Sequence, residues 1–228
     1  MSLLQKWRLE RARRACRLPL QQRLLHQQSL PSLRARVADV ETIALDFETT
    51  GLDAQRDHVI AAGWVRIRGD RIVMASAREV HVRTHGPDGV GQSAVIHGIL
   101  DSDLEHAASG ETLLEQLLPD VAGCVVVAHA AAIERAFLAA LLRRLGGVPL
   151  PNPFIDTMAL ERRLIEGAGG SVRELHGDLT MDACRGRHGL PDHQRHSAGA
   201  DAVACAELFI AQVAQLGGAG IVRLRELR

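Results

Sequence analysis

Between Val40 and Val82 the apolar residues of this chain come in short, β-rich runs, and beyond Gly110 the pattern turns helical. A first strand is expected over Thr42 to Phe47, where Thr42-Ile43-Ala44-Leu45 runs directly into a carboxylate. His58 to Ile67 and Arg71 to Val82 read as two more strands, joined by a tight hairpin turn at Arg68-Gly69-Asp70. Gly86 to Gly91 reads as loop, followed by helical segments over Ser93 to Leu100 and Glu111 to Val121. Cys124 to Ala128 is a continuously apolar strand, and Ala130 to Leu145 is an apolar helix ended by Gly146-Gly147. Phe154-Ile155 is a brief strand before a helix from Asp156 to Ile165, Ser171 to Glu174 fits a capping box, and a last helix runs from Ala198 to Leu216. A hairpin-linked antiparallel set followed by strands alternating with helices specifies an α/β fold, a mixed sheet covered on both faces.

Residues 1–38 differ in composition from the rest of the chain, being rich in Arg, Gln and Leu and poor in Gly. Leu3, Leu4, Trp7 and Leu9 with Arg8, Arg11, Arg13 and Arg14 read as a basic amphipathic helix, and Pro19 and Pro31 punctuate the segment. The expectation is an N-terminal helical arm over 1–38 and a single domain over 39–228. Two readings of the arm stand: packed against the domain with its arginines in water, or a basic contact to nucleic acid or a partner. Gln27-Gln28-Ser29-Leu30 is too degenerate to assign a sliding-clamp partner. The 228 residues carry zero formal net charge, so attraction to nucleic acid must come from local basic patches or bound metal ions. Lys6 is the only lysine, which excludes most lysine-based catalysis. Four cysteines without CxxC spacing read as small buried hydrophobes in a reducing cytosol. The N-terminus lacks a secretory core, and the longest apolar stretch, Val121 to Ile133, is too short to span a bilayer. A soluble, cytoplasmic protein without a membrane partner is expected.

Chemistry concentrates in four places. Asp46 to Leu52 reads DFETTGL. Side chains two apart in a strand share a face, so Asp46 and Glu48 project together, repel each other and need a positive charge, for which a divalent metal is the simplest candidate. The adjoining Thr49, Thr50 and Gly51 offer hydroxyls and a pliant backbone beside it. His196-Ser-Ala-Gly-Ala-Asp201 puts a histidine on a loop and a carboxylate in the first turn of the last helix, where the helix dipole favours it. HAAAIERAFL, from His129 to Leu138, sets Glu134 in the helix after the short strand, and His97 lies among apolar residues in VIHGI.

In this order, DFETTGL, an acid-bearing strand-to-helix motif and HxAxxD resemble the DEDD-h 3′→5′ exonucleases, which include the proofreading epsilon subunit of bacterial DNA polymerase III, RNase T and oligoribonuclease. The resemblance covers roughly residues 40–216, and IHGI followed by Asp101 adds to it. It implies a ribonuclease H-like fold with a mixed five-stranded sheet flanked by helices, two Mg²⁺ or Mn²⁺ ions, and release of nucleoside monophosphates from 3′ ends. Asp46 would bridge the ions, Glu48 and Asp201 would complete one site, and Glu134 would support the other. His196 would act as general base, since an imidazole can take a proton near neutral pH. Phe47, Thr49, Thr50, Gly51 and Leu52, with His129 and His97, would line the 3′-terminal nucleotide; His97 reads equally as a packed residue.

The second motif departs from the family's HNxxxD: Ala130 stands where Asn is common and Glu134 where Asp is expected. Glu keeps the charge and adds a methylene, and an ordinary surface acid beside Arg135 is the alternative. Asp156, in FIDTMAL, reads as structural, His193 and Arg195 flank the base, and His176 and His188 lack zinc-binding spacing. The expected substrate is a single-stranded or frayed 3′ end of DNA. The alternatives are an RNA or oligoribonucleotide exonuclease of the same family, and a non-catalytic nucleic-acid-binding protein that has lost the second motif. The chain stops soon after its last helix, without the tail that anchors the epsilon subunit; a stand-alone enzyme, or one recruited through its arm, is expected, with a polymerase or clamp partner left open.

Overall fold

The apolar run that ends in Asp46 forms the central strand of the sheet. The computed structural model describes residues 3–83, 98–169, 178–193 and 196–227. β1 (Glu41–Thr49), β2 (Val59–Arg68) and β3 (Arg71–His81) form an antiparallel meander. β4 (Val125–Ala128) pairs parallel with β1 on its other side, and β5 (Phe154–Asp156) pairs parallel with β4, giving the order β3-β2-β1-β4-β5. Each expected strand is present with its ends moved by a residue or two. The described helices are α1 (Leu3–Ala15), α2 (Pro19–Gln27), α3 (Asp101–Leu104), α4 (Gly110–Val121), α5 (Ala132–Arg144), α6 (Thr157–Gly167), α7 (Met181–Arg187) and α8 (Ala198–Gln215). The expected loop at 86–91, residues 93–97 of one expected helix with His97, the expected capping box at 171–174, His176 and Arg195 lie outside the described residues, and residues 98–100, the end of that expected helix, are not helical.

Strand alternation decides which helices cover which face. Ile43, Leu45 and Phe47 of β1 point into a core with Leu113 and Leu117 of α4 and Phe137 and Leu142 of α5. Ala44 and its neighbours Val65, Val125 and Val127 point the other way, against Leu160 of α6 and Phe209 and Val213 of α8. Asp46 and Glu48 continue that second face, so the carboxylates emerge under α8. All four cysteines are buried free thiols. No described helix is long and apolar enough to cross a membrane.

The arm packs against the domain. Pro19 opens α2 rather than merely interrupting the chain, because the first helical turn has no hydrogen bond for a proline to remove. Leu18, Leu20 and Leu24 pack on the α4–α5 core, while Leu9, Ala12, Cys16, Leu25 and Leu30 form a smaller cluster between the two arm helices. Gln21 Nε2 donates to the Val148 carbonyl at 2.6 Å and Gln21 Oε1 accepts from its amide at 2.9 Å. The Gly123 amide donates to Gln28 Oε1 at 2.8 Å, so two arm side chains satisfy loop backbone of the domain.

Candidate active site

Asp46 pairs across the ladder with Gly63 of β2, and Gly63 pairs in turn with Glu79 of β3. Cross-strand partners share a face, so Asp46, Gly63 and Glu79 form one row beneath α8. Gly63 is the gap in that row. A Cβ there would run into the Ala198 carbonyl and the Gly199 amide, so the bare glycine lets the start of α8 settle onto the sheet. Glu79 then holds that start from the far side: its Oε2 accepts from Ser197 Oγ at 2.7 Å and from the Gly199 amide at 3.2 Å. Ser197 also caps α8, accepting from the Ala200 amide at 3.3 Å.

Docked in this way, α8 carries Asp201 to the end of β1. Ligand atoms of Glu48, His196 and Asp201 all lie within 4.8 Å of one another, a spacing that a single metal ion could bridge. Both Asp201 oxygens are already oriented: His193 Nε2 lies 2.7 Å from Oδ1, and the His196 amide donates to Oδ2 at 2.9 Å. His196 has φ 65°, a left-handed conformation that turns the loop sharply, and its side chain is exposed.

Glu134 sits in the first turn of α5 and is only 5% exposed, which overturns the surface-acid alternative. Arg135, next to it, is the residue that faces outward. Glu134 Oε2 is buried without a hydrogen-bond partner among the described residues. An unmet buried carboxylate oxygen is costly, and a bound cation is one partner that would satisfy it. Ala130, where the family favours Asn, has φ 59°, and its amide donates to Asp156 Oδ1 at 3.1 Å. Asp156 also caps α6 through the Met158 and Ala159 amides, which confirms its structural role.

The acids crowd one another. Burial, then the charges of Glu134, Asp201, Glu48 and Glu79, hold the Asp46 carboxyl well above the usual carboxylate range. Part of Asp46 still reaches solvent, yet protein atoms surround it on most sides, which is why burial leads. Burial followed by Asp201 and Glu79 raises Glu48 to about 7, and burial with the Asp156 charge raises Glu134 to about 8. In the unfolded chain these carboxyls have already ionised below about pH 5. Above about pH 6.5 the folded protein still holds protons that the unfolded chain does not, so stability falls as pH rises, until Glu48 and Glu134 have ionised in the folded state as well near pH 8.5. Half-buried His129, whose protonation is disfavoured, acts below this window. The metal-free protein should lose on the order of 2 kcal/mol across that interval, about 4–8 °C in melting temperature, and millimolar Mn²⁺ should abolish the slope. A melting temperature that stays flat across the same interval in EDTA would count against the crowded-acid description.

The expected substrate rim is divided. Thr49 Oγ1 donates to the Gly51 carbonyl at 2.7 Å, and Thr50 Oγ1 accepts from the His58 amide at 3.0 Å, so the two hydroxyls shape the turn after β1. Gly51 is packed so closely on the Asp57 carboxylate that a Cβ would collide with it. Leu52 is 81% exposed at the tip of this turn. The Phe47 side chain, by contrast, is 7% exposed and belongs to the α4–α5 core, leaving only its backbone to meet a ligand. His129 is also turned inward: Nδ1 lies 2.9 Å from Thr157 Oγ1 and Nε2 lies 2.9 Å from the Leu179 carbonyl. With both ring nitrogens engaged and burial disfavouring its charge, His129 ties β4 to α6 and the segment before α7 instead of offering a nitrogen to substrate. Two contributors were not read from sequence in these roles: Glu79, which fixes the start of α8, and His193, noted only as a neighbour of the base, which grips Asp201.

A family model described as "Exonuclease" matches residues 43–209. DNA polymerase III PolC-type of Thermotoga maritima is 32% identical over 190 residues, spanning 83% of this chain and 13% of that protein. Its counterpart from Mycoplasma pneumoniae is 27% identical over 196 residues, 85% of this chain and again 13% of the relative. Among solved structures, Exonuclease X in complex with 5′ overhanging duplex DNA superposes with a TM-score of 0.61 at 21% identity, covering 82% of this chain and 97% of the other. The E. coli exonuclease I complex with single-stranded DNA gives 0.65 at 12% identity, over 77% of this chain and 41% of that one. At these identities the structural likeness is one of fold, the ribonuclease H-like sheet with its helical layers.

Proposed function

The chain belongs to the DEDD 3′→5′ exonuclease superfamily, and from that membership we propose that it removes nucleoside 5′-monophosphates from the 3′ end of DNA with two divalent cations, Mg²⁺ or Mn²⁺. The observation that carries the reading is the meeting of Glu48, His196 and Asp201 within 4.8 Å, with the Asp46 and Glu134 charges bearing on the same pocket. The donor set suits such ions. Carboxylate oxygens are the ligands that Mg²⁺ and Mn²⁺ prefer, mutual repulsion calls for positive charge, and Glu134 Oε2 has no hydrogen-bond partner among the described residues. Asp46, Glu48 and Asp201 would hold one ion, and Asp46 with Glu134 the other. When bound, such ions activate water at neutral pH and neutralise charge on the scissile phosphate and leaving oxygen.

The remaining work falls to the chain's own groups. His196, exposed on its loop beside the carboxylates, takes the proton of the attacking water at an imidazole nitrogen. The His196 amide and His193 keep the Asp201 carboxylate from rotating, so the helix-borne ligand is set before substrate arrives. The Thr49–Leu52 turn receives the terminal nucleotide, with exposed Leu52 against the base. DNA as the polymer is inferred from the relatives: the PolC-type proteins are named as DNA polymerases, and the two structural neighbours hold DNA.

Purified protein with Mn²⁺ and a 5′-labelled single strand should produce a ladder shortening one nucleotide at a time from the 3′ end. His196→Ala should slow it by about 10²-fold. Equal, metal-independent background in both proteins would leave a nucleic-acid-binding module instead. Faster shortening of a matched RNA strand would transfer the assignment to RNA.

A further inference from the structure

On the arm side of the molecule a groove of about 610 Å³ runs between α1 and the proline-rich connection from α5 to β5. Arg8 and Arg11 of α1 and Arg135 and Arg143 of α5 line it, together with Trp7 and Phe154. No described residue lining the groove carries a carboxylate. The difference from the rest of α1 is chemical: Arg13 and Arg14 are paired with Glu10, whereas none of the four groove arginines forms an ion pair among the described residues. Zero net charge makes this a local concentration of positive potential. The rings take part as well. The Arg11 guanidinium lies 5.4 Å from the Trp7 ring centre and that of Arg135 5.8 Å from the Phe154 ring centre, yet Trp7 remains 56% exposed.

We propose that this groove is a second binding site for single-stranded nucleic acid, separate from the cleavage centre. Its arginines would contact successive phosphates, and Trp7 would stack on a base. Unpaired arginines alone would suit any polyanion. Arginines interleaved with rings, one of them widely exposed, suit a strand whose bases have flat faces, because stacking on an aromatic surface is tolerant of sequence. The choice of a strand over an acidic protein also rests on the exonuclease reading. The three prolines at 149, 151 and 153 stiffen the wall opposite α1, so little ordering is needed on binding.

The test is binding without cleavage. A labelled thirty-nucleotide single strand is titrated with full-length protein in EDTA over a range of salt, reading anisotropy and tryptophan emission. Trp64 is buried, so a change in emission reports Trp7. Binding with quenching is expected. Replacing all four arginines (Arg8→Gln, Arg11→Gln, Arg135→Gln, Arg143→Gln) should weaken it at least tenfold and reduce the log–log salt slope by about 3, since each phosphate contact on a single strand contributes roughly 0.7. The same variant should still cleave a dinucleotide at the wild-type rate while losing kcat/KM on the long strand. Unchanged affinity and slope in the variant, or unaltered Trp7 emission in the wild type, would overturn the proposal. So would preferential occupation by a polyglutamate peptide, which would assign the groove to an acidic protein partner. Binding in EDTA by a protein that never shortens a strand in Mn²⁺ would keep the groove and remove the exonuclease reading.

Discussion

Asp46→Asn should abolish metal-dependent strand shortening, a loss of about 10³-fold or more, while the metal-free protein melts no lower than wild type. The two halves of that result have one cause. Asp46 lies where burial and four neighbouring acids all oppose its ionisation. In the metal-free protein these surroundings favour an uncharged group at this position, and Asn supplies one with nearly the same shape. The same removal takes away the carboxylate on which both proposed ions depend, and metal stabilisation of the reacting phosphate is worth several kcal/mol, with each ~1.36 kcal/mol a factor of ten in rate. Single-turnover cleavage of a 5′-labelled strand and thermal melting in EDTA measure the two effects separately. Cleavage by the variant at near the wild-type rate would remove Asp46 from the centre.

Gly63→Val should damage fold and chemistry together, costing roughly 3 kcal/mol of stability and nearly all cleavage. The added side chain would occupy the place of the Ala198 carbonyl and the Gly199 amide, so the first turn of α8 must lift from β2. Ser197 and Gly199 would then lose Glu79, and Asp201 would move away from Glu48. Denaturant unfolding gives the stability change. At a temperature where the variant is still folded, the Mn²⁺ concentration needed for half-maximal activity should rise. Normal metal dependence in a folded Gly63→Val protein would show that docking of α8 does not set the site.

The placement of the candidate acids was legible because they sit on regular elements. Asp46 and Glu48 share a face by strand alternation, and Asp201 falls in the first turn of a strongly apolar helix, so local pattern fixed where each points. The sheet was legible for the same reason. Glu79 was not. With its two-residue turn, the hairpin would place Ser76 opposite Gly63 if the ladder ran without interruption, but an irregularity between Trp64 and Arg66 shifts the register and brings Glu79 there. Nothing in the composition of β3 announces that shift. Phe47 and His129 were expected at the rim from the family resemblance; neighbours in a strand put side chains on opposite faces, and Phe47, beside Asp46, follows that rule into the core. His129 was beyond sequence for another reason, since its partners Thr157 and Leu179 belong to distant segments. α3 and α7 were missed because helices of 4 and 7 residues give too few turns for a period to emerge.

Ala130 occupies the left-handed bend between β4 and α5 with no polar side chain to support it. Such a conformation disfavours an alanine by about 1–2 kcal/mol, whereas glycine or asparagine adopts it readily. Anyone wanting a hardier version of this molecule therefore has an address to begin from: a solitary methyl group on a tight corner, whose exchange for a carboxamide relaxes the polypeptide and leaves every acidic donor where it was.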